Sequence, residues 1–176
     1  DKYRYVMTES ARIARGKVGK LNDLSAADFD ALIFPGGFGV AKHLSNYYKG
    51  SPDWNVDPEV ERIIQAFHQG KKSMGFICIA PILAARVLGT STHCNLTIGA
   101  DPKISKQIES MGAKHSVCLV DQIQIDEANM IFSTPAYMFA EAEPFDIYRG
   151  IGSLVDAMVT KSAVHKAAQL DPFVEQ

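Results

Sequence analysis

The sequence lacks the features that mark several large classes of protein. Its 176 residues include only three cysteines, at positions 78, 94 and 118, with no Cys-x-x-Cys pair. An odd, widely spaced set of thiols argues against a disulfide framework and favours a reducing, intracellular compartment. No apolar run approaches the roughly 18 residues of a membrane span. The 18 basic and 20 acidic residues are spread along the chain, so neither nucleic acid nor a membrane surface is an expected partner.

Metal and nucleotide motifs are also missing. The five histidines are scattered and form no i,i+4 pair, so the sequence predicts no metal site. The Gly-Gly-Phe-Gly run at 36–39 has neither the spacing of a dinucleotide fingerprint nor the Gly-Lys-Ser/Thr ending of a phosphate loop.

The elements that are present alternate between strands and helices. Apolar runs at 29–35 and 72–78 predict buried parallel strands, and Pro58 to Gln69 predicts a helix with one apolar face. Val117 to Ile125 and Met130 to Ser133 predict an antiparallel hairpin. The expected fold is α/β, an open parallel sheet with helices on both faces and a small hairpin. Residues 1–160 form the expected domain, which closes with a helix over 145–159, and 161–176 are expected to be a tail or short helix.

Cys78 is the most informative residue. It follows the apolar run Met74 to Ile77 directly, and a helix-compatible segment begins at Pro81. A strand, a sharp turn and a helix expose a nucleophile at the carboxyl end of the strand. The N-terminal end of the helix favours the thiolate over the thiol. The alternative is an inert cysteine that closes a core strand.

Three loops are expected to converge at one edge of the sheet, at 35–39, 77–81 and 133–137, because ligands bind outside the carboxyl ends of parallel strands. In the first loop, glycines let backbone N–H groups approach a ligand and form an oxyanion hole. The alternative is a tight turn with no further role. His43 could reach the pocket mouth or lie on a solvated helix face. The Tyr137 hydroxyl could contact a bound carbonyl or be structural.

Two runs together carry a family resemblance. DALIFPGGFGVAKHLS at 30–45, followed by GFICIAP at 75–81, resembles the PfpI and class I glutamine amidotransferase-like superfamily. Within that superfamily the chain is most similar to the ElbB-type, glyoxalase-like branch. Further stretches that fit this branch are TESARIARG at 8–16, LTIG at 96–99, MGAKH at 111–115, TPAYM at 134–138 and GIG at 150–152.

The resemblance implies a flavodoxin-like sandwich, usually dimeric, without a metal or organic cofactor. It implies that Cys78 is the nucleophile and that the oxyanion donors are the backbone N–H groups of Gly37 or Phe38 and of Ile79. The segment at 134–136 would line the pocket. The candidate oxyanion and substrate-binding residues are Gly36, Gly37, Phe38, Gly39, His43, Ile79, Thr134, Pro135, Ala136 and Tyr137.

The chain departs from the family pattern in two ways. Protease-like members have a histidine after the nucleophile, where this chain has Ile79, and amidotransferases have a His-x-Glu that would fall near 134–136. A Cys–His dyad is therefore disfavoured. The family also begins with another strand and a glutamate-bearing loop that this sequence, which starts at Asp1, does not include. The first strand and the acid–base carboxylate are therefore expected upstream.

Two functional hypotheses follow from the resemblance, and both use Cys78. The first is a cofactor-free, glyoxalase- or deglycase-like lyase acting on small dicarbonyls such as methylglyoxal or glyoxal. The second is a non-catalytic redox sensor or protein-stabilising protein in which the same thiol is oxidised. The expected partners are a small aldehyde or dicarbonyl and a second copy of the chain. The expected location is cytoplasmic in a bacterium and mitochondrial in a eukaryote.

Overall fold

The structure, a computed structural model, describes residues 3–170. The strands are β1 Ala31–Phe34, β2 Ser73–Ile77, β3 Asn95–Leu96, β4 Lys114–His115, β5 Gln124–Asp126 and β6 Ile131–Thr134. The helices are α1 Val6–Ile13, α2 Phe38–Lys42, α3 Pro58–Gln69, α4 Pro81–Thr92, α5 Pro102–Ser110 and α6 Pro144–Leu170. None of the helices in this part of the chain combines the length and the apolar run needed to cross a membrane.

The main sheet has the strand order β1-β2-β6-β5. The first three strands are parallel, with Phe34 opposite Phe76 and Ile77 opposite Thr134. Their carboxyl ends therefore lie along the same edge of the sheet. The hairpin is confirmed because β5 runs antiparallel to β6, but its first strand begins at Gln124, and the expected strand residues from Val117 onward are irregular. The short strands β3 and β4 pair in a separate parallel sheet.

Helices cover both faces of the sheet, which confirms the expected α/β class. Every residue of β2 is buried, as a central strand requires. On one face α3 buries Val60, Ile63, Ile64 and Phe67 against the sheet. Asp57 caps this helix by accepting the Glu59 N–H at 2.9 Å, and proline occupies the first turn. On the other face α6 lies so close that a Cβ at Gly75 would be 2.5 Å from Met158 Sδ.

The closing helix is longer than expected. The sequence predicted that it ends at Val159, with a tail or short helix over 161–176, but α6 continues to Leu170. The segment after Val159 is rich in alanine and lysine, which are strong helix formers. Ser162 also donates to Ser73 Oγ at 2.8 Å, and Lys166 pairs with Asp30 at 3.1 Å. The rest of the expected tail, 171–176, lies outside the described residues.

The strand that the sequence predicts before residue 1 would pair with an edge of this sheet. Within residues 3–170, β1 is an edge strand, and Ile33 in it is 37% exposed. The additional strand stays a prediction.

Candidate functional site

Cys78 lies at a sharp turn between β2 and α4. Its φ is +61°, in a region that residues with a Cβ rarely adopt. Its backbone N–H donates to the Thr134 carbonyl at 2.9 Å, which continues the β2–β6 ladder by one residue and fixes the elbow to the neighbouring strand. Such a conformation costs on the order of 1–3 kcal/mol and persists only where the surroundings enforce it. The side chain is half-buried at the carboxyl edge of the sheet.

Gly36 rests directly against this elbow. A Cβ added to Gly36 would lie 2.5 Å from Cys78 Cβ, 2.7 Å from the Ile77 carbonyl oxygen and 3.2 Å from Cys78 Sγ. Real Cβ atoms do not approach other atoms so closely, so only glycine fits here. The loop after β1 and the elbow after β2 are therefore in van der Waals contact through backbone and sulfur atoms.

Gly37 is needed for a different reason. Its φ is +92° and its ψ is 175°, a conformation that is essentially restricted to glycine. A Cβ at this position would meet no atom within 4 Å. The close approach to the elbow occurs instead at Gly36. A Cβ added to Gly39 would also meet no atom within 4 Å, so packing does not require glycine at this position.

Two backbone N–H groups are directed at the sulfur of Cys78. They belong to Ile79 and Gly37, and each hydrogen bond lowers the pKa of the thiol. The larger effect is burial, which raises the pKa, and the net direction is upward. The expectation of a lowered pKa at the helix N-terminus was therefore wrong.

The first residues of α4 direct few N–H groups toward the sulfur of Cys78. The N–H groups of Ala80 and Ile82 donate to the Ile77 and Ile79 carbonyls at 3.1 and 3.2 Å. Pro81 has no N–H to donate. Of the amides in this turn, only that of Ile79 reaches the thiol.

The loop after β6 forms the third side of the site. Thr134 lies opposite Ile77, and its hydroxyl donates to the Gln122 carbonyl at 3.0 Å. Pro135 and Ala136 are buried, and Ala136 has a φ of +45°. Tyr137 is 61% exposed. The three predicted loops thus follow neighbouring parallel strands and emerge at one edge of the sheet.

Two other candidates lie toward the solvent. Phe38 is 82% exposed, and the Lys42 ammonium lies 5.4 Å from the centre of its ring. His43 is exposed at the end of α2 and lines a depression with Ser45, Asn46 and the segment 55–58 rather than with Cys78. This placement favours the solvated alternative for His43.

Within residues 3–170, no carboxylate or imidazole contributes to the pKa of Cys78 or is hydrogen-bonded to its sulfur. Nor does this part of the chain hold three or more His, Cys, Asp or Glu side chains grouped to ligate a metal ion. Cys94 and Cys118 are buried, and burial raises the pKa of Cys94 to about 11. The chemistry available at this edge is therefore that of one thiol and two backbone N–H donors.

The sequence did not indicate that Gly36 and the Ile77 carbonyl are in contact. The only signal was the doubled glycine, which predicts a turn but not what the turn touches. An open depression of about 630 Å³ lies beyond the third loop, lined by Leu119, Met138, Phe139 and neighbouring residues, but Cys78 is not among them.

Comparison with known proteins gives relatives for most of the chain, although no family model matches it. The chain is 44% identical over 161 residues to human glutamine amidotransferase-like class 1 domain-containing protein 3, mitochondrial, and 43% identical over 161 residues to the rat mitochondrial ES1 protein homolog. Each alignment covers 86% of the chain but only 59% of the relative, so the chain spans less than two thirds of these proteins.

A solved structure is similar over nearly the whole chain. It is the isoprenoid biosynthesis protein with an amidotransferase-like domain from Ehrlichia chaffeensis, with a TM-score of 0.81 and 34% sequence identity. The match covers 90% of this chain and 71% of that protein.

Proposed function

The chain belongs to the glutamine amidotransferase-like family, and from that membership we propose that it is a cysteine-dependent enzyme that converts small dicarbonyls to hydroxy acids. Methylglyoxal and glyoxal are the proposed substrates. The observation that carries the proposal is the placement of Cys78 at a positive-φ elbow, with the N–H groups of Gly37 and Ile79 directed at its sulfur. Membership of the ElbB-type branch belongs to the same proposal.

The first step is addition of the Cys78 sulfur to the aldehyde carbon. A carbon–sulfur bond forms, the carbonyl π bond breaks, and its electron pair becomes an alkoxide that takes up the thiol proton to give a hemithioacetal. We propose that the same N–H groups also stabilise the developing alkoxide, since preorganised donors lower the barrier.

A proton transfer and a hydrolysis then complete the reaction. The proton on the former aldehyde carbon moves to the adjacent carbonyl carbon through an enediolate. The hydroxyl proton of the hemithioacetal moves to the oxygen on that adjacent carbon, which leaves a thioester on Cys78. Water attacks the thioester, the carbon–sulfur bond breaks, and the hydroxy acid and the thiol are released. For methylglyoxal the net change is addition of one water to give lactate, without an external oxidant or reductant.

The acid–base group for this transfer is proposed to be a carboxylate. Because burial raises the pKa of Cys78, the thiol is protonated at neutral pH and needs a base. The side chains that surround the sulfur within residues 3–170 supply none. From the family resemblance we propose that the carboxylate lies upstream of Asp1.

Amidotransferase and protease chemistry are less well supported by the same site. Ile79 occupies the position after the nucleophile, and the Thr134–Ala136 loop holds no imidazole. A glutaminase or protease would need histidine to activate the thiol and protonate the leaving amine. A redox role for Cys78 also has less support, because oxidation by peroxide requires a low-pKa thiolate.

The cellular setting and assembly are part of the proposal. All three cysteines are free, as a reducing compartment requires. The curated relatives carry mitochondrial names, which supports a mitochondrial location in a eukaryote. We propose a homodimer as the working form.

The test is lactate formation from methylglyoxal by the full-length wild-type protein, Cys78→Ser and the matched control Cys94→Ala. We expect wild type and Cys94→Ala to form lactate at the same rate per folded molecule, and Cys78→Ser to fall to the rate of buffer. Equal rates for wild type and Cys78→Ser, or no lactate from wild type, would overturn the proposal.

A further inference from the structure

A second cleft, of about 530 Å³, lies between the loop that follows α2 and the helices α4 and α5. It shares no lining residue with the Cys78 site. Its volume is within the range of small-molecule pockets. Aromatic, basic and amide side chains line it, among them Tyr47, Tyr48, Trp54, Arg86, Lys103 and Gln107.

Arg86 forms one wall of this cleft. Its guanidinium carbon lies 5.5 Å from the centre of the Trp54 ring, and Trp54 itself is buried, with Tyr47 packed edge-on against it at 5.2 Å. A guanidinium held over an aromatic ring still has N–H groups able to donate hydrogen bonds. The tryptophan thus orients an arginine for bidentate contact with an oxyanion.

Helix α5 forms the opposite wall. Lys103, Gln107 and Ser110 line the cleft and are spaced i, i+4 and i+7, so they lie on one face of the helix. The Tyr47 hydroxyl donates to Gln107 Oε1 at 2.5 Å. With its oxygen accepting this bond, the Gln107 side chain has its NH₂ group left to donate into the cleft.

The cleft has an excess of positive charge. Neither Arg86 nor Lys103 forms an ion pair with a carboxylate among residues 3–170. The nearby carboxylate of Asp101 caps α5, where it accepts the N–H groups of Lys103 and Ile104 at 2.8 and 3.0 Å. Burial and the charge of Asp101 raise the pKa of Tyr47, which keeps its hydroxyl protonated as the donor to Gln107. Two cations and the NH₂ group of Gln107 therefore face a space with no acidic residue in its lining.

We propose that this cleft binds the phosphate monoester of a small polar metabolite. Arg86 binds two phosphate oxygens through its N–H edge, and Lys103 and the Gln107 amide bind the remaining oxygens. A phosphate dianion, with two negative charges, matches these two cations better than a single carboxylate does. The remaining volume holds the organic part of the ligand, and the exposed ring of Tyr48 at the rim is able to pack against it. This site goes beyond the proposed function at Cys78 and does not depend on it.

The experiment measures binding of ribose 5-phosphate, inorganic phosphate and unphosphorylated ribose by calorimetry and by amide chemical-shift changes. We expect ribose 5-phosphate to bind more tightly than inorganic phosphate, ribose to show no binding, and the shifts to centre on residues 47–54, 86 and 103–107. Arg86→Gln and Lys103→Gln should each weaken binding at least about tenfold, because each removes a charge-assisted hydrogen bond. Lys106→Gln is the matched control, since it removes one charge from an exposed position of α5 outside the lining.

Three results would overturn the proposal. The first is no saturable binding of either phosphate compound at millimolar concentration. The second is a loss of affinity in Lys106→Gln equal to that in Lys103→Gln, which indicates general attraction of anions by the helix. The third is shifts that centre elsewhere. Thermal melts show whether each variant still folds. If Arg86→Gln does not fold, Lys103→Gln still tests the proposal, because it is Arg86 rather than Lys103 that lies over the Trp54 ring. Because no readout involves a dicarbonyl, failure here is separable from failure of the proposed reaction.

Discussion

Substitution of Gly36 by alanine tests the contact between the first loop and the elbow. The added Cβ would lie 2.5 Å from Cys78 Cβ and 2.7 Å from the Ile77 carbonyl oxygen. Ordinary carbon contacts are about 3.5–4.0 Å, so the loop must retreat by about 1 Å. We expect this movement to break the hydrogen bond from the Gly37 N–H to the Cys78 sulfur.

The magnitude follows from that lost bond. A hydrogen bond to a charged group contributes about 1.5–3 kcal/mol. Its loss raises the pKa of Cys78 further, and since about 1.4 kcal/mol corresponds to one pKa unit, the thiolate fraction at fixed pH should fall about 10- to 100-fold. Iodoacetamide reacts only with the thiolate, so its rate with Cys78 at pH 8 measures the effect directly.

Two neighbouring glycines are matched controls. Gly37→Ala adds a Cβ that meets nothing within 4 Å but forces alanine into a φ of +92°, so it should cost about 1–3 kcal/mol of stability and change the alkylation rate of the folded protein much less. Gly39→Ala, in α2, should lower neither the stability nor the alkylation rate of Cys78. If Gly36→Ala reacted as fast as wild type, or faster, the argument that this loop positions a donor at the sulfur would be refuted.

Three further predictions concern the buried thiols and a close helix contact. After a short exposure to substoichiometric iodoacetamide, peptide mapping should show that Cys78 is modified well before the buried Cys94 and Cys118. Equal labelling of the three thiols would contradict the greater accessibility of Cys78. Since folding raises the pKa of Cys94 from 9.0 to about 11, its stabilising contribution is complete below pH 9 and is lost as the pH rises toward 11. Wild type should therefore lose about 2 kcal/mol more than Cys94→Ala between pH 9 and pH 11 in denaturant titrations, and parallel losses would refute the assignment. In an ordinary helix interior, replacing glycine by alanine raises the free energy of unfolding by about 1 kcal/mol. Gly89→Ala should instead lower it by about 1–3 kcal/mol, because the added Cβ would overlap the Met111 carbonyl oxygen. An unchanged or raised melting temperature would contradict this packing.

The sequence predicted the fold well where a local pattern determines the structure. Asp57 and Pro58 start α3 as expected, because cap chemistry and apolar periodicity lie within a few residues of each other. The run into Cys78 predicted a strand, an elbow and a helix for the same reason. Boundaries were predicted less well, since α6 continues past Val159 through contacts with strands far away in the sequence.

The properties that depend on tertiary contact were not predictable from the sequence. The pKa of Cys78 depends on burial, and burial depends on how Gly36 and the loop after β6 close over the elbow. Likewise, nothing in the sequence pattern joins Arg86 to Trp54, since the two residues meet only when α4 packs beside the loop at 47–54.

The most direct test of the central claim, that Cys78 attacks a dicarbonyl, is ¹³C NMR of the protein with [1-¹³C]methylglyoxal. We predict a protein-bound signal from a carbon attached to sulfur in wild type and in Cys94→Ala, and no such signal in Cys78→Ser. The same signal in Cys78→Ser, or its absence from wild type at saturating substrate, would contradict the assignment of Cys78 as the nucleophile.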